Sequence, residues 1–137
     1  MTAKEIQVIF DVPPNMAKIV EKFPGACAPH IIFAYGDKIY VPGGFKLPFY
    51  LVAHETAHCE RQQQVGVDHW WEQYLGDATF RYMEELIAHR AEYSALCEVA
   101  TARNHRRKNL EEVAKKLAAP LYGRLVTVEK AKKDLKA

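Results

Sequence analysis

The sequence predicts an α+β fold, and three observations carry that expectation. EIQVIFD (residues 5–11) alternates and is rich in β-branched and aromatic side chains, the pattern of a strand. HIIFAYGDKIYVPGG (30–44) holds two more such runs separated by Gly36-Asp37, the signature of a hairpin. From Pro48 onward the chain changes character, with long stretches free of Gly and Pro at 48–64 and 78–102 that suit helices.

In chain order, Pro13-Pro14 ends the first strand, and PNMAKIVEK (14–22) places Met16, Ile19 and Val20 at helical spacing. FPGACAP (23–29) reads as a loop. The hairpin follows, with strands at 31–35 and 38–41, and Pro42-Gly43-Gly44 stops it. Pro48 is a natural first-turn residue for a helix that runs to Gly66. A short aromatic segment, HWWEQYL (69–75), leads to Gly76-Asp77, with Asp77 as N-cap of the helix from 78 to 102. A further helix is expected near 108–118, ended by Pro120. A turn or short strand then falls in LYGRLVTV (121–128), and Thr127 caps a last basic helix. The whole is expected to be one domain (1–137), with a core over about 5–119 and a C-terminal extension over 120–137.

The composition excludes several classes. With 49% hydrophobic and 26% charged residues, 137 residues can bury a core without disulfide staples. Cys27, Cys59 and Cys97 are odd in number and widely spaced, so a reducing compartment is expected rather than a disulfide framework. No stretch approaches the roughly 18 apolar residues of a membrane span, and the N-terminus lacks a signal-peptide apolar region. A cytoplasmic protein without a membrane partner is expected. A net charge of +2 is too mild to imply nucleic acid. The runs around Arg103, Arg106, Arg107 and Lys108, and around Lys130, Lys132 and Lys133, read as solvated faces.

The chemistry lies in His54-Glu55-Thr56-Ala57-His58. On a helix, residues i and i+4 lie one above the other, so both imidazoles can reach one ion. Zinc takes imidazole nitrogen at about 2.0–2.1 Å, and catalytic sites use three protein ligands and a water. Glu55 sits about 100° round the helix from His54, beside the metal without ligating it, where it can act as general base. Six histidines and twelve glutamates in 137 residues would produce this pentapeptide in about two of a hundred shuffled chains, so its surroundings have to add weight. The apolar lead-in Phe49–Ala53 does so, by implying a helix that enters the core, where polar groups need partners. On the second long helix Glu84, Glu85 and Glu92 are the acidic candidates for a third ligand. Glu85, His89 and Glu92 form one polar stripe there.

HETAH followed by Glu85-Leu86-Ile87-Ala88-His89 resembles the gluzincins, and the size and the stretch HETAHCERQQQVG resemble the minigluzincins and small phage- or prophage-encoded putative metallopeptidases. The metzincin alternative is excluded, because its third His and its Gly fall on Gln64 and Arg61. The resemblance covers about residues 30–96. It implies a minimal zincin-like fold: a small N-terminal sheet packed on an active-site helix, completed by a second long helix. It further implies a Zn2+ site of His54, His58 and Glu85, Glu55 as catalytic base, and zinc-dependent hydrolysis of a peptide or protein substrate, with a phage protein as a possible partner. The edge strand of the 31–41 hairpin would pair with extended substrate. Many relatives carry Asp where this chain has His89. Glu92 is then the candidate for the carboxylate that orients a ligand histidine. The same ligands would also suit a non-catalytic zinc protein that stabilises a fold or a phage assembly.

The remaining features have plainer readings. Adjacent Trp70 and Trp71 are expected to point one in and one out, with pocket lining as the alternative. His69 is a weaker metal candidate than the glutamates, and His30 and His105 are expected to be solvated. Tyr93 and His89, and more weakly Tyr35, are candidates for a transition-state hydrogen-bond donor. Cys59 reads as a packed thiol.

Overall fold

The alternating N-terminal stretch forms strand β1 (Gln7–Ile9), and the two halves of the hairpin form β2 (Phe33–Tyr35) and β3 (Lys38–Tyr40). These come from a computed structural model that describes residues 5–100, 102–119 and 126–136. The strands make one mixed sheet in the order β1-β3-β2. β2 and β3 are antiparallel, with Tyr35 opposite Lys38, so the turn is the two residues Gly36-Asp37, and Gly36 takes the φ of +67° that such a turn asks for. β1 runs parallel to β3, which requires a crossover. That crossover contains α1 (Met16–Lys22), a 3-10 turn at Pro24–Cys27 and β2 itself.

Helix α2 (Phe49–Val65) begins after Pro48, which stands as its extended N-cap, and stops at Gly66 with φ +97°. The aromatic segment is itself a helix, α3 (Val67–Gly76), starting directly after that glycine. Both tryptophans are buried, not one in and one out. The reason is that α3 packs against α2 and α4 and also against the layer formed by Ile19, Ala26 and Phe33, so side chains 100° apart both meet protein. The long helix α4 (Ala78–Val99) ends three residues earlier than expected. The Asp77 side chain caps it, accepting from Thr79 N at 2.9 Å and Phe80 N at 3.2 Å. α5 (Arg103–Leu117) starts five residues before the expected 108, so the basic run lies on its first turns. α6 (Val128–Lys136) is capped by Thr127 Oγ1, which accepts from Lys130 N at 3.1 Å. Residues 120–125, including most of the expected turn or strand, lie outside the described residues.

The apolar core falls into three clusters. Ala34, Ile39, Val41 and Cys59 seat the sheet on α2, while Trp70, Trp71, Tyr74 and Phe33 join α3 to the sheet and α1. Leu86, Leu110, Val113, Leu117, Ala131 and Leu135 bind α4, α5 and α6 together, so the segment set apart as a C-terminal extension contributes α6 to the core. The most extensive pairing is α2 with α4. Among the described residues no helix is long and apolar enough to cross a membrane.

Fully buried Gln62 fixes the hairpin to α2: its Nε2 donates to the Ala34 carbonyl at 2.9 Å and its Oε1 accepts from Gly36 N at 2.6 Å. Removing a cap costs about 0.5–2 kcal/mol. Asp77→Ala is therefore expected to lower the unfolding free energy by about 1 kcal/mol in urea titration, with the slope unchanged, because it frees two N–H groups without altering the core.

Candidate metal centre

The apolar lead-in to HETAH is not what α2 buries. Phe49 is 51% exposed and Tyr50 to Ala53 are half-buried, while His54, Glu55, His58, Cys59 and Gln62 form the buried face. That face meets an equally polar face of α4, made by Arg81, Glu84, Glu85, His89 and Glu92. Polar groups placed there need partners, and the partners are each other.

His54 Nε2 lies 3.3 Å from Glu85 Oε1, and His58 Nε2 lies 3.0 Å from Glu85 Oε2. The ligand atoms of His54, His58 and Glu85 all fall within 4.8 Å of one another. Two ligands about 2.0–2.1 Å from a tetrahedral ion are about 3.3–3.4 Å apart, which matches these separations. Glu85 Oε1 is buried and, although close to His54, makes no bond of hydrogen-bond geometry. The donor set and the orphaned oxygen both fit a divalent cation such as zinc. Glu55 stands beside the triad, with Oε2 3.4 Å from His54 Nε2.

A surrounding set of contacts orients these groups. Glu92 Oε1 lies 3.0 Å from His54 Nδ1, and Lys116 Nζ on α5 donates to Glu92 Oε2 at 2.6 Å. Tyr74 OH donates to Glu85 Oε2 at 2.6 Å. The His89 ring packs edge-on to His54, with centroids 4.5 Å apart, and its Nδ1 donates to the Glu85 carbonyl at 2.9 Å. His58 Nδ1 is buried without a hydrogen bond, and its ring is held instead against Trp70.

Charge in this cluster is strongly biased. Burial opposes a cationic His54, but the Glu55 charge, the adjacent Glu85 carboxylate and the contact with Glu92 lift its pKa to about 10. Burial also opposes the Glu85 carboxylate, yet the His58 and His54 rings hold it well below the usual range. Burial pushes Glu55 up, with His54 and His58 pulling the other way. Burial and the adjoining His54 drive His89 down to about 3, so it is a neutral ring. A divalent cation would replace the positive charge that the acids otherwise draw from His54, leaving that imidazole neutral as a ligand.

The structure thus gathers His54, Glu55, His58, Glu85, His89 and Glu92 and separates the other candidates. Glu84 is committed to Trp70 Nε1 at 2.7 Å and to Arg61 Nε at 3.0 Å. A second triple, His54, His89 and Glu92, also meets the distance for a metal, but there Glu92 already serves His54 and Lys116. His30, His69 and His105 are exposed. Tyr93 packs into the α4–α5–α6 core, and Tyr35 OH donates to Asp68 at 3.0 Å. Cys59 is fully buried and burial pushes its thiol up to about 12, as suits a packed and unreactive group. Sequence reasoning missed the Tyr74 bond to Glu85 and the reach of Lys116. The spacing of Tyr74 one helical turn after Trp70 was the available signal for the first, whereas Lys116 carried none.

Above the ligands lies a small cavity of about 70 Å³, lined by His54, Glu55, His58 and Glu85 on one side and by apolar residues including Ile19, Phe23, Phe33 and Trp71 on the other. Edge strand β2 borders it, and the Ala34 carbonyl on that edge already accepts from Gln62 and from Trp71 Nε1 at 3.1 Å. No family model, curated protein or solved structure matches this chain.

A buried hydrogen bond to a charged group contributes about 1.5–3 kcal/mol. Tyr74→Phe is expected to cost that much in the unfolding free energy of the metal-free protein, measured by denaturant titration. A loss below about 0.5 kcal/mol would mean that Tyr74 does not hold Glu85 in solution.

Proposed function

We propose that this protein is a zinc-dependent peptidase of the zincin kind, with His54, His58 and Glu85 as ligands and Glu55 as general base. The observation that carries the reading is the convergence of those three ligands beside Glu55 on the floor of a mostly apolar cavity. When bound, zinc polarises a carbonyl and lowers the pKa of a water to about 7. Glu55 is placed to accept that water's proton and return it to the leaving amine. The apolar lining suits an apolar substrate side chain. The free edge of β2 on the N-terminal side of Ala34 is the place for an extended peptide to pair.

One observation favours a second reading, in which zinc only stabilises the fold or an assembly. The enclosed space beside the cluster is about 70 Å³, enough for waters or a small group, so a peptide would have to lie across its open side. The α1 and 3-10 segment brings Ile19, Phe23 and Ala26 to the wall of that cavity. The non-catalytic reading needs no substrate access.

Metal analysis and a peptide-library digest separate the readings. Wild type, purified without chelators, is expected to hold about one zinc per chain, as three protein ligands converging on one point imply. His54→Ala, His58→Ala and Glu85→Ala should lose it. Glu55→Gln should retain zinc and cleave at least about 100-fold more slowly. Absence of zinc from wild type would sink both readings, and a digest unaffected by Glu55→Gln or by chelation would leave the structural one.

A further inference from the structure

We infer that Lys116 is a positioning residue for the ligand His54, acting through Glu92; the inference rests on the zinc reading proposed above. Glu92 is 1% exposed, and its two oxygens have separate tasks. Oε1 meets His54 Nδ1 at 3.0 Å, and Oε2 accepts from Lys116 Nζ at 2.6 Å. With Nδ1 engaged by a carboxylate, the His54 ring presents Nε2 toward Glu85 and the metal position. A carboxylate held at one oxygen can still turn about its last torsion, which is broad. Anchoring the second oxygen to another helix removes that freedom. Lys116 lies in the last turn of α5, whose Leu110, Val113 and Leu117 are locked into the core, so the anchor is rigid at its base. Its ammonium also lies 5.2 Å from the centre of the Tyr50 ring, on the same helix as His54.

The charge count supports the same assignment. Three buried carboxylates, Glu55, Glu85 and Glu92, surround the site. Lys116 meets one of these charges directly, a divalent ion would meet two more, and Arg81 adds a further buried cation on the same face of α4. Glu84, the fourth buried acid on this face, is paired separately with Arg61. Lys116 itself is 45% exposed along its side chain, so its loss removes the contact to Glu92 without opening the core.

The test is zinc affinity of the full chain, measured by competition with a chromophoric chelator. Loss of an outer partner of a ligand histidine costs about 10–100-fold in metal affinity. Lys116→Met is expected to weaken zinc binding by at least about tenfold, Lys116→Arg to restore most of it, and Glu92→Gln to weaken it comparably. The double variant should bind about as the weaker single variant does, because both changes break one chain of contacts. With cobalt(II) in place of zinc, Lys116→Met should also alter the visible ligand-field spectrum. If Lys116→Met does not fold, Lys116→Gln serves in its place. Wild-type affinity in these variants, or effects that simply add, would overturn the inference while leaving the zinc site standing. So would a lower melting point of the metal-free protein with zinc affinity unchanged, since that marks a purely structural lysine. Failure of wild type to bind zinc at all would instead overturn the reading beneath it.

Discussion

The structure depends on the face that α2 and α4 share. Most helix pairs in small domains meet through apolar stripes, but this pair buries His54, Glu55, His58 and Gln62 against Glu84, Glu85, His89 and Glu92. Each of those groups loses water on burial and recovers it only through a specific partner. Gln62 recovers it from the hairpin backbone, Glu84 from Trp70 and Arg61, Glu92 from His54 and Lys116, and Glu85 from Tyr74 and His58. Three buried atoms of these two faces remain without a hydrogen bond, Glu85 Oε1, His58 Nδ1 and Arg81 Nε, and the first of them lies where His54, His58 and Glu85 converge.

The other elements serve that face. The sheet is too small to stand alone, and β2 and β3 are pinned to α2 by Gln62 and to α3 by Trp71. α3 then supplies the ring that packs on His58 and the hydroxyl that holds Glu85. α5 contributes through one residue, Lys116, and is itself fixed by packing with α4 and α6. An aromatic helix on one side and a cationic contact on the other thus constrain the two motif histidines differently: His58 by ring packing, His54 by hydrogen bonding.

Much of this could be read from the chain because the deciding patterns are local. The hairpin announced itself through Gly36-Asp37, the α4 cap through Asp77, and the paired histidines through i, i+4 spacing on one helix. The stripe Glu85, His89, Glu92 was visible by the same periodicity, although spacing alone left Glu84, Glu85 and Glu92 as rival ligands. What separated them was tertiary: Trp70 and Arg61 claim Glu84, and Lys116 draws Glu92 to the far side of His54. The apolar run Phe49–Ala53 pointed to a helix that enters the core, and α2 does so; the run itself is half-buried apart from exposed Phe49, and the residues that go deepest are His54, Glu55, His58, Cys59 and Gln62. α3 escaped a helical reading because it is only ten residues long, lies between Gly66 and Asp77, and carries four aromatic or histidine side chains of modest helix propensity.

Under the proposed zinc reading, the cluster differs from a closed structural site. A purely structural zinc site is usually closed by four protein ligands, whereas this cluster offers three and sets a second carboxylate, Glu55, beside them. That arrangement spends burial of a carboxylate on a position which a structural ion does not require. The cover is also of a different kind from the floor. The ligands are held by hydrogen bonds between long helices, while α1 and the 3-10 turn lie over them through side chains such as Ile19 and Phe23, with an exposed Pro24-Gly25 at their junction. α1 is a seven-residue helix whose N-cap Asn15 makes no side-chain capping bond, so it gains little stability of its own. The cluster is thus held by polar contacts between long helices, while the segment facing it is held by the apolar packing of Ile19, Ala26 and Phe23 with Trp70, Trp71 and Tyr74.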